Sequence, residues 1–147
     1  MIQNYKYHGR RAQGAALARN WLHAAGAPAP LPQALIAAPM DPQRLRERGF
    51  SQTAELAGWF TRATQVPVLM DRLQRHPGYQ AQASLSRSER TRNLQQAFFV
   101  TGSAPLPRHI ALIEDVVTTG ASVEAMAHCL RQAGVMRLEV WALARTP

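Results

Sequence analysis

The run Ala111-Leu112-Ile113-Glu114-Asp115-Val116-Val117-Thr118-Thr119-Gly120-Ala121-Ser122 constrains this chain more than any other stretch. It begins inside the apolar segment Ile110 to Ile113, which has the length and branching of a buried strand. Two carboxylates follow at once, in a chain that owns only nine acidic residues, and nowhere else do two acids stand side by side. Charges at the end of a buried strand are costly unless something uses them. Small hydroxylated residues around Gly120 then open an amphipathic helix over about 120–133, with Val123, Met126, Ala127 and Leu130 inward and Gly134 as its stop. A strand, tight turn and helix in this order belong in an α/β sheet, where ligands gather at the C-terminal ends of the strands.

The rest of the chain supplies partners for that unit. Residues 10–25 read as an Ala-rich helix with Leu17, Trp21 and Ala24 at helical spacing, stopped by Gly26 and the prolines at 28, 30 and 32. Leu35 to Ala38 is a short buried strand, and Asp41 to Gly49 an Arg-rich loop. A second amphipathic helix over about 50–64 puts Leu56, Trp59, Phe60 and Ala63 on one face. Val66 to Leu69 reads as an edge strand because of Pro67. Residues 71–96 are polar, and part of this stretch is expected to be a long mobile loop. Strands return at Ala97–Val100 and Leu138–Leu143. The expectation is one α/β domain over 1–147, its mainly parallel sheet flanked by helices and residues 1–32 forming an N-terminal helix and linker.

Charge narrows the partners. Lysine plus arginine number 17 against 9 acids, a net charge of +8, and Lys6 is the sole lysine. That balance suits an anion, either nucleic acid or a phosphorylated small molecule, and arginine matches phosphate oxygens in pairs. Solubility alone is the competing explanation. No stretch reaches the roughly 20 apolar residues of a membrane helix. The N-terminus lacks a signal-peptide core, and the single cysteine, Cys129, forms no internal disulfide, so a cytoplasmic location is expected. The five histidines show no metal spacing, and adjacent His128 and Cys129 on a helix face different ways, so no zinc is expected. Trp21, Trp59 and Trp141 fit core positions better than base-stacking ones.

At residues 118–122, free backbone N–H groups and the positive end of the helix make an anion cradle, and Gly120 lets the backbone approach a ligand closely. Glu114 and Asp115 beside it are suited to accept sugar hydroxyls. Carboxylates next to a phosphate cradle describe a ribose 5-phosphate pocket; an ordinary helix cap beside a solvated strand end is the plainer alternative. The string resembles the phosphoribosyl pyrophosphate signature of type I phosphoribosyltransferases. Further segments are Lys6-Tyr7-His8-Gly9, Pro39-Met40 with Arg44 to Gln52, and Gln82, Leu85, Glu89-Arg90, Asn93 and Ala97-Phe98. Together these resemble the competence protein F family, with Ser51 where an asparagine is usual. Members of that family usually begin with a cysteine-rich zinc-binding segment, which this chain does not contain.

The resemblance implies a phosphoribosyltransferase-like protein that binds phosphoribosyl pyrophosphate with Mg²⁺ and transfers the 5-phosphoribosyl group to an acceptor the sequence does not name. Glu114 and Asp115 would hold the ribose hydroxyls and favour charge on the opening sugar; Thr118, Thr119, Gly120, Ala121 and Ser122 would hold the 5-phosphate. The loop at Pro39, Met40 and Asp41 would face the pyrophosphate, and Arg44 and Arg48 are candidates for its charge, their alternative being a solvated face. From the 71–92 segment, Arg75 or Arg90 would reach in and Gln82 would orient substrate. Mg²⁺ would arrive with the ligand rather than on side chains alone. Two other readings stay open: a non-catalytic module in the DNA-uptake machinery, and a nucleic-acid binder using the arginines.

Overall fold

In the computed structural model, which describes residues 11–26, 29–77, 79 and 86–146, the apolar run Ile110–Ile113 lies in the central strand of the main sheet. That strand, β4 (His109–Val117), pairs in parallel with β1 (Ala34–Ala37) on one side and with β5 (Arg137–Arg145) on the other. Its side chains alternate between two cores. Ile110 and Leu112 join one, built with Met126 and Leu130 of the helix Ala121–Gln132; Ala111 and Ile113 join the other, built with Leu56 and Phe60 of the helix Gln52–Thr64. A strand buried on both faces reads as a continuous apolar run, which is why it stands out in the sequence.

Two helices cover the second core. Helix α1 (Arg11–Ala25) contributes Ala18, Trp21 and Leu22 and packs on the 52–64 helix and on β5. Three aromatic rings meet there: Trp21 and Trp141 each lie about 5.3–5.4 Å from Phe60, and 5.3 Å from one another. Outside the main sheet, β2 (Leu73–Arg75) and β3 (Phe98–Val100) form an antiparallel pair. Val68 makes one parallel bridge to Leu35, so the Pro67 segment does run along the sheet edge. Among the described residues, no helix is long and apolar enough to cross a membrane.

Several expectations change. The stretch read as a loop over Asp41–Gly49 holds a short helix, α2 (Pro42–Arg48), because Asp41 accepts from the amides of Gln43 and Arg44, Pro42 stands at its first position, and Gly49 closes it with φ of 75°. The next helix, α3 (Gln52–Thr64), buries Gln52, Thr53, Leu56, Ala57 and Phe60, while Trp59 is half-buried and Ala63 exposed. Its buried stripe is rotated toward β4 from the one the sequence suggests, and Arg62 lies over the Trp59 ring at 4.6 Å. In α1, Ala24 is exposed. Residues 71–96 are not all loop: they include β2 and helix α4 (Arg87–Gln95), whose first turn is fixed by reciprocal Ser86–Glu89 capping. The final helix, α5 (Ala121–Gln132), starts at Gly120 as expected.

At the N-terminal end of β4 and β5, Glu139 gathers three donors. His109 Nε2 lies 2.7 Å from one carboxylate oxygen and Arg137 3.1 Å from the same one; Trp141 Nε1 donates to the other at 3.0 Å. Burial pushes this carboxyl upward, but the hydrogen bonds from Trp141 and His109 and the charges of His109 and Arg137 outweigh it and hold Glu139 below the usual carboxylate range. A folded-state pKa below the unfolded value means stability that is complete above the unfolded pKa and lost as pH falls through the folded one. The advantage of the native chain over Glu139→Gln in urea denaturation is therefore expected to shrink as pH falls from about 5 toward 3. An advantage that grew on acidification would contradict this arrangement.

Candidate functional site

Parallel pairing of β1 with β4 puts the C-terminal ends of both strands at one edge. Ala37 stands beside Ile113, and the amide of Ala38 donates to the Ile113 carbonyl at 2.9 Å. The loop that leaves β1 thus begins next to Glu114 and Asp115. A cavity of about 160 Å³ opens there, lined by Ala38–Asp41, Arg44, Arg48, Gln52, Thr53, Arg75, Glu114 and Asp115. A second, of about 340 Å³, is lined by Arg44, Glu114–Thr118, Gly120, Ser122 and Val123. Arg44, Glu114 and Asp115 belong to both, so the acid pair stands where the two cavities adjoin.

The acids alternate along β4, which runs on past them to Val117, yet both line both cavities. Asp115 is buried and Glu114 half-buried. Each folds back on the backbone: Glu114 Oε1 accepts from the Asp115 amide at 2.9 Å, and Asp115 Oδ1 from the Val116 amide at 2.8 Å. Those bonds orient the carboxylates and engage one oxygen of each.

Past the acids, Gly120 adopts φ of 81° and forms the N-cap of α5 without a side-chain cap. Among the described residues, no backbone carbonyl takes the amides of Thr118, Thr119, Gly120 or Ser122. The hydroxyl of Thr119 turns instead to the Ala121 amide, at 3.4 Å, so its role here is local to the turn. Ala121 and Ser122 are exposed on the first turn of the helix, and Thr119 and Ala121 line neither cavity. A Cβ added at Gly120 would meet no protein atom within 4 Å, so what the protein itself imposes there is backbone strain. A β-branched residue in the left-handed region costs about 1–2 kcal/mol. Gly120→Val is expected to lose about that much stability and to weaken phosphate binding at the turn, whereas Gly120→Asn retains most of both. Denaturation and phosphate titrations of the two variants measure this, and equal behaviour of valine and glycine would contradict the strained turn.

On the opposite side, α2 buries none of its residues and carries Arg44 and Arg48 one turn apart, both lining the cavity. Asp41 turns Oδ1 to the α2 amides of Gln43 and Arg44, and Pro39 and Met40 offer backbone to a ligand. Arg75, at the end of β2, is the third cation. Its guanidinium lies 5.9 Å from the Phe98 ring and bonds the Tyr79 carbonyl at 3.4 Å, and its Nε is buried with no hydrogen-bond partner among the described residues. Burial pushes the nearby Tyr79 hydroxyl upward against the charge of Arg75.

The structure does not bring every candidate together. Arg90 is exposed on α4 and lines neither cavity; Gln82, Lys6 and the Tyr7–Gly9 segment lie outside the described residues. Sequence reasoning missed Gln52 and Thr53, two polar side chains on the buried face of α3 that line the cavity beside Asp115. Their signal was available: each sits four residues before a buried apolar position, Leu56 or Ala57. Among the described residues, no three histidine, cysteine or acidic side chains could hold a metal ion, and burial pushes the Cys129 thiol up, toward its inert form. Two adjacent carboxylates are a donor set for a Mg²⁺ that keeps waters or ligand phosphate oxygens in its remaining positions.

No protein-family model matches the chain. Sequence similarity nevertheless covers most of it. Competence protein F of Haemophilus influenzae is 35% identical over 117 residues, which is 78% of this chain and 51% of that protein. Competence protein ComFC of Streptococcus pneumoniae is 31% identical over 75% of this chain and 47% of its own length, and DNA utilization protein YhgH of Escherichia coli 32% over 79% and 51%. The chain thus spans about half the length of the curated relatives it matches. Among solved structures, a hypoxanthine phosphoribosyl transferase of Trypanosoma cruzi superposes with a TM-score of 0.51 at 16% identity, over 93% of this chain and 73% of that one. A point mutant of the Trypanosoma cruzi enzyme, solved as a ternary substrates complex, gives 0.51 at 12% identity, over 93% and 76%. Over the region matched, the chain is similar to competence protein F, ComFC and YhgH, and its fold is that of the type I phosphoribosyltransferases.

Proposed function

We propose that this domain binds phosphoribosyl pyrophosphate together with Mg²⁺ and transfers the 5-phosphoribosyl group to a nitrogen nucleophile or water, releasing pyrophosphate. The observation that carries the reading is the placement of Glu114 and Asp115 between an arginine-lined cavity and the open turn at 118–122. The turn takes the 5-phosphate on amides at the positive end of α5. The acids accept the ribose 2- and 3-hydroxyls. Arg44, Arg48 and Arg75 face the pyrophosphate with the backbone of Pro39–Asp41. As the bond from C1 to the pyrophosphate oxygen breaks, its electron pair leaves with that oxygen, toward the arginines. The positive charge left on C1 and the ring oxygen is stabilised by the carboxylates. The acceptor's lone pair then forms the new bond to C1, and the acceptor loses its proton. Bound Mg²⁺ would neutralise phosphate charge, with Glu114 and Asp115 the residues placed to meet it.

Calorimetry with phosphoribosyl pyrophosphate, with and without Mg²⁺, tests the binding, and a screen of nucleobases and amines for pyrophosphate release tests the transfer. Mg²⁺-dependent binding without release for any acceptor would support a second reading, favoured by the competence and DNA-utilization names of the relatives: a ligand-binding module serving DNA uptake. DNA binding that is steeply salt-dependent and indifferent to Asp115, with no phosphoribosyl pyrophosphate binding, would favour a direct nucleic-acid role for the +8 charge.

A further inference from the structure

We propose that Thr53 is a positioning residue for the pyrophosphate end of the ligand, acting through the carbonyl of Ala38; this rests on the phosphoribosyl pyrophosphate reading of the cavity. Thr53 is buried in the first turn of α3, and its hydroxyl donates to the Ala38 carbonyl at 2.6 Å. A threonine has one hydroxyl proton and a carbonyl can only accept, so that proton is committed. The 3.2 Å contact between Ser51 and Thr53 is then Ser51 donating, while Ser51 Oγ accepts from the Ala54 amide. A relay runs from the N-cap of α3 through Thr53 into the loop after β1.

The location of the bond matters. Thr64, in the last turn of the same helix, bonds the local carbonyl of Phe60. Thr53 stands where no helical carbonyl lies behind it, and its proton goes to a different element. Ala38 is thereby held at both ends, its amide on Ile113 just before the acids and its carbonyl on Thr53. That fixes the peptide plane entering Pro39, whose own φ is locked by its ring. At the far end, Asp41 is tied down as the cap of α2. Only Pro39 and Met40 span the two anchors, so the direction in which this loop presents its backbone to a ligand depends on the Thr53 bond.

The test is a titration of three probes: phosphoribosyl pyrophosphate with Mg²⁺, inorganic pyrophosphate with Mg²⁺, and ribose 5-phosphate. Thr53→Val keeps the shape and removes the donor. It is expected to weaken both pyrophosphate-bearing probes about tenfold, near the upper end of what one hydrogen bond contributes. Ribose 5-phosphate binding should be unchanged, and Thr53→Ser should restore the other two. A general loosening of the fold would weaken all three alike and would not be rescued by serine. Pyrophosphate binding unchanged in Thr53→Val, or ribose 5-phosphate weakened equally, overturns the role of Thr53 and leaves the site reading standing. A native protein that binds neither pyrophosphate nor phosphoribosyl pyrophosphate overturns both. If Thr53→Val does not fold, Thr53→Ala, whose shorter side chain places no methyl against the Ala38 carbonyl, is put through the same comparison.

Discussion

Asp115→Asn is expected to reduce phosphoribosyl transfer by about 10²–10³-fold while leaving the protein folded. The carboxylate is 7% exposed, and its Oδ1 accepts from the Val116 amide. Asparagine can keep that bond through its own oxygen. On the proposed reading, what disappears is a negative charge facing the place where the ribose would become cationic, and one oxygen becomes an amide nitrogen that cannot accept a hydroxyl proton. Removing one partner of a fixed electrostatic arrangement costs far more in a water-poor site than in bulk water. The denaturation midpoint should stay close to that of the native chain, while affinity for phosphoribosyl pyrophosphate falls. Unchanged affinity in calorimetry would remove the ribose assignment for this residue.

Phe60→Ala is expected to cost about 3–5 kcal/mol of stability, a large share of the roughly 5–15 kcal/mol that holds a domain of this size together. Phe60 is 1% exposed and packs edge-on against both Trp21 and Trp141, so one ring joins α1, α3 and β5. Deleting it leaves a cavity among elements that cannot all move inward at once. Urea denaturation measures the loss, and tryptophan emission offers an independent check, since Trp21 and Trp141 lose their common neighbour. A loss under about 1 kcal/mol would mean that the site had closed up around the deletion, in conflict with three elements meeting there.

Some of this molecule could be read one residue after another. The 110–122 unit was legible because its signals are local: four apolar residues make a strand buried on two faces, the acids follow them within that strand, and Gly120 supplies a left-handed turn before a helix with regular apolar spacing. Helix α2 was equally local, since Asp41-Pro42 starts it and Gly49 ends it, but the density of arginines over 44–48 made it read as loop. Similarly, the Ser86–Glu89 box that starts α4 was masked by the polar composition of 71–96.

The face that α3 buries was a different problem. Trp59 and Ala63 fit an apolar stripe as well as Thr53 and Ala57 do, and helical periodicity cannot choose between stripes that differ by a small rotation. Docking against β4 chose, and it buried two polar residues, Gln52 and Thr53, that a hydrophobicity argument sends to solvent. Local sequence sufficed for the three strands of the main sheet, the helices α1, α3 and α5, the acid pair and the turn beside it, because each depends on neighbours within a few residues. That Arg75, Arg48 and Thr53 line one cavity with Asp115 is a matter of tertiary packing. That assembly follows from the parallel pairing of Ala37 with Ile113 and from α3 packing across them, contacts between segments far apart in the chain that no local pattern encodes.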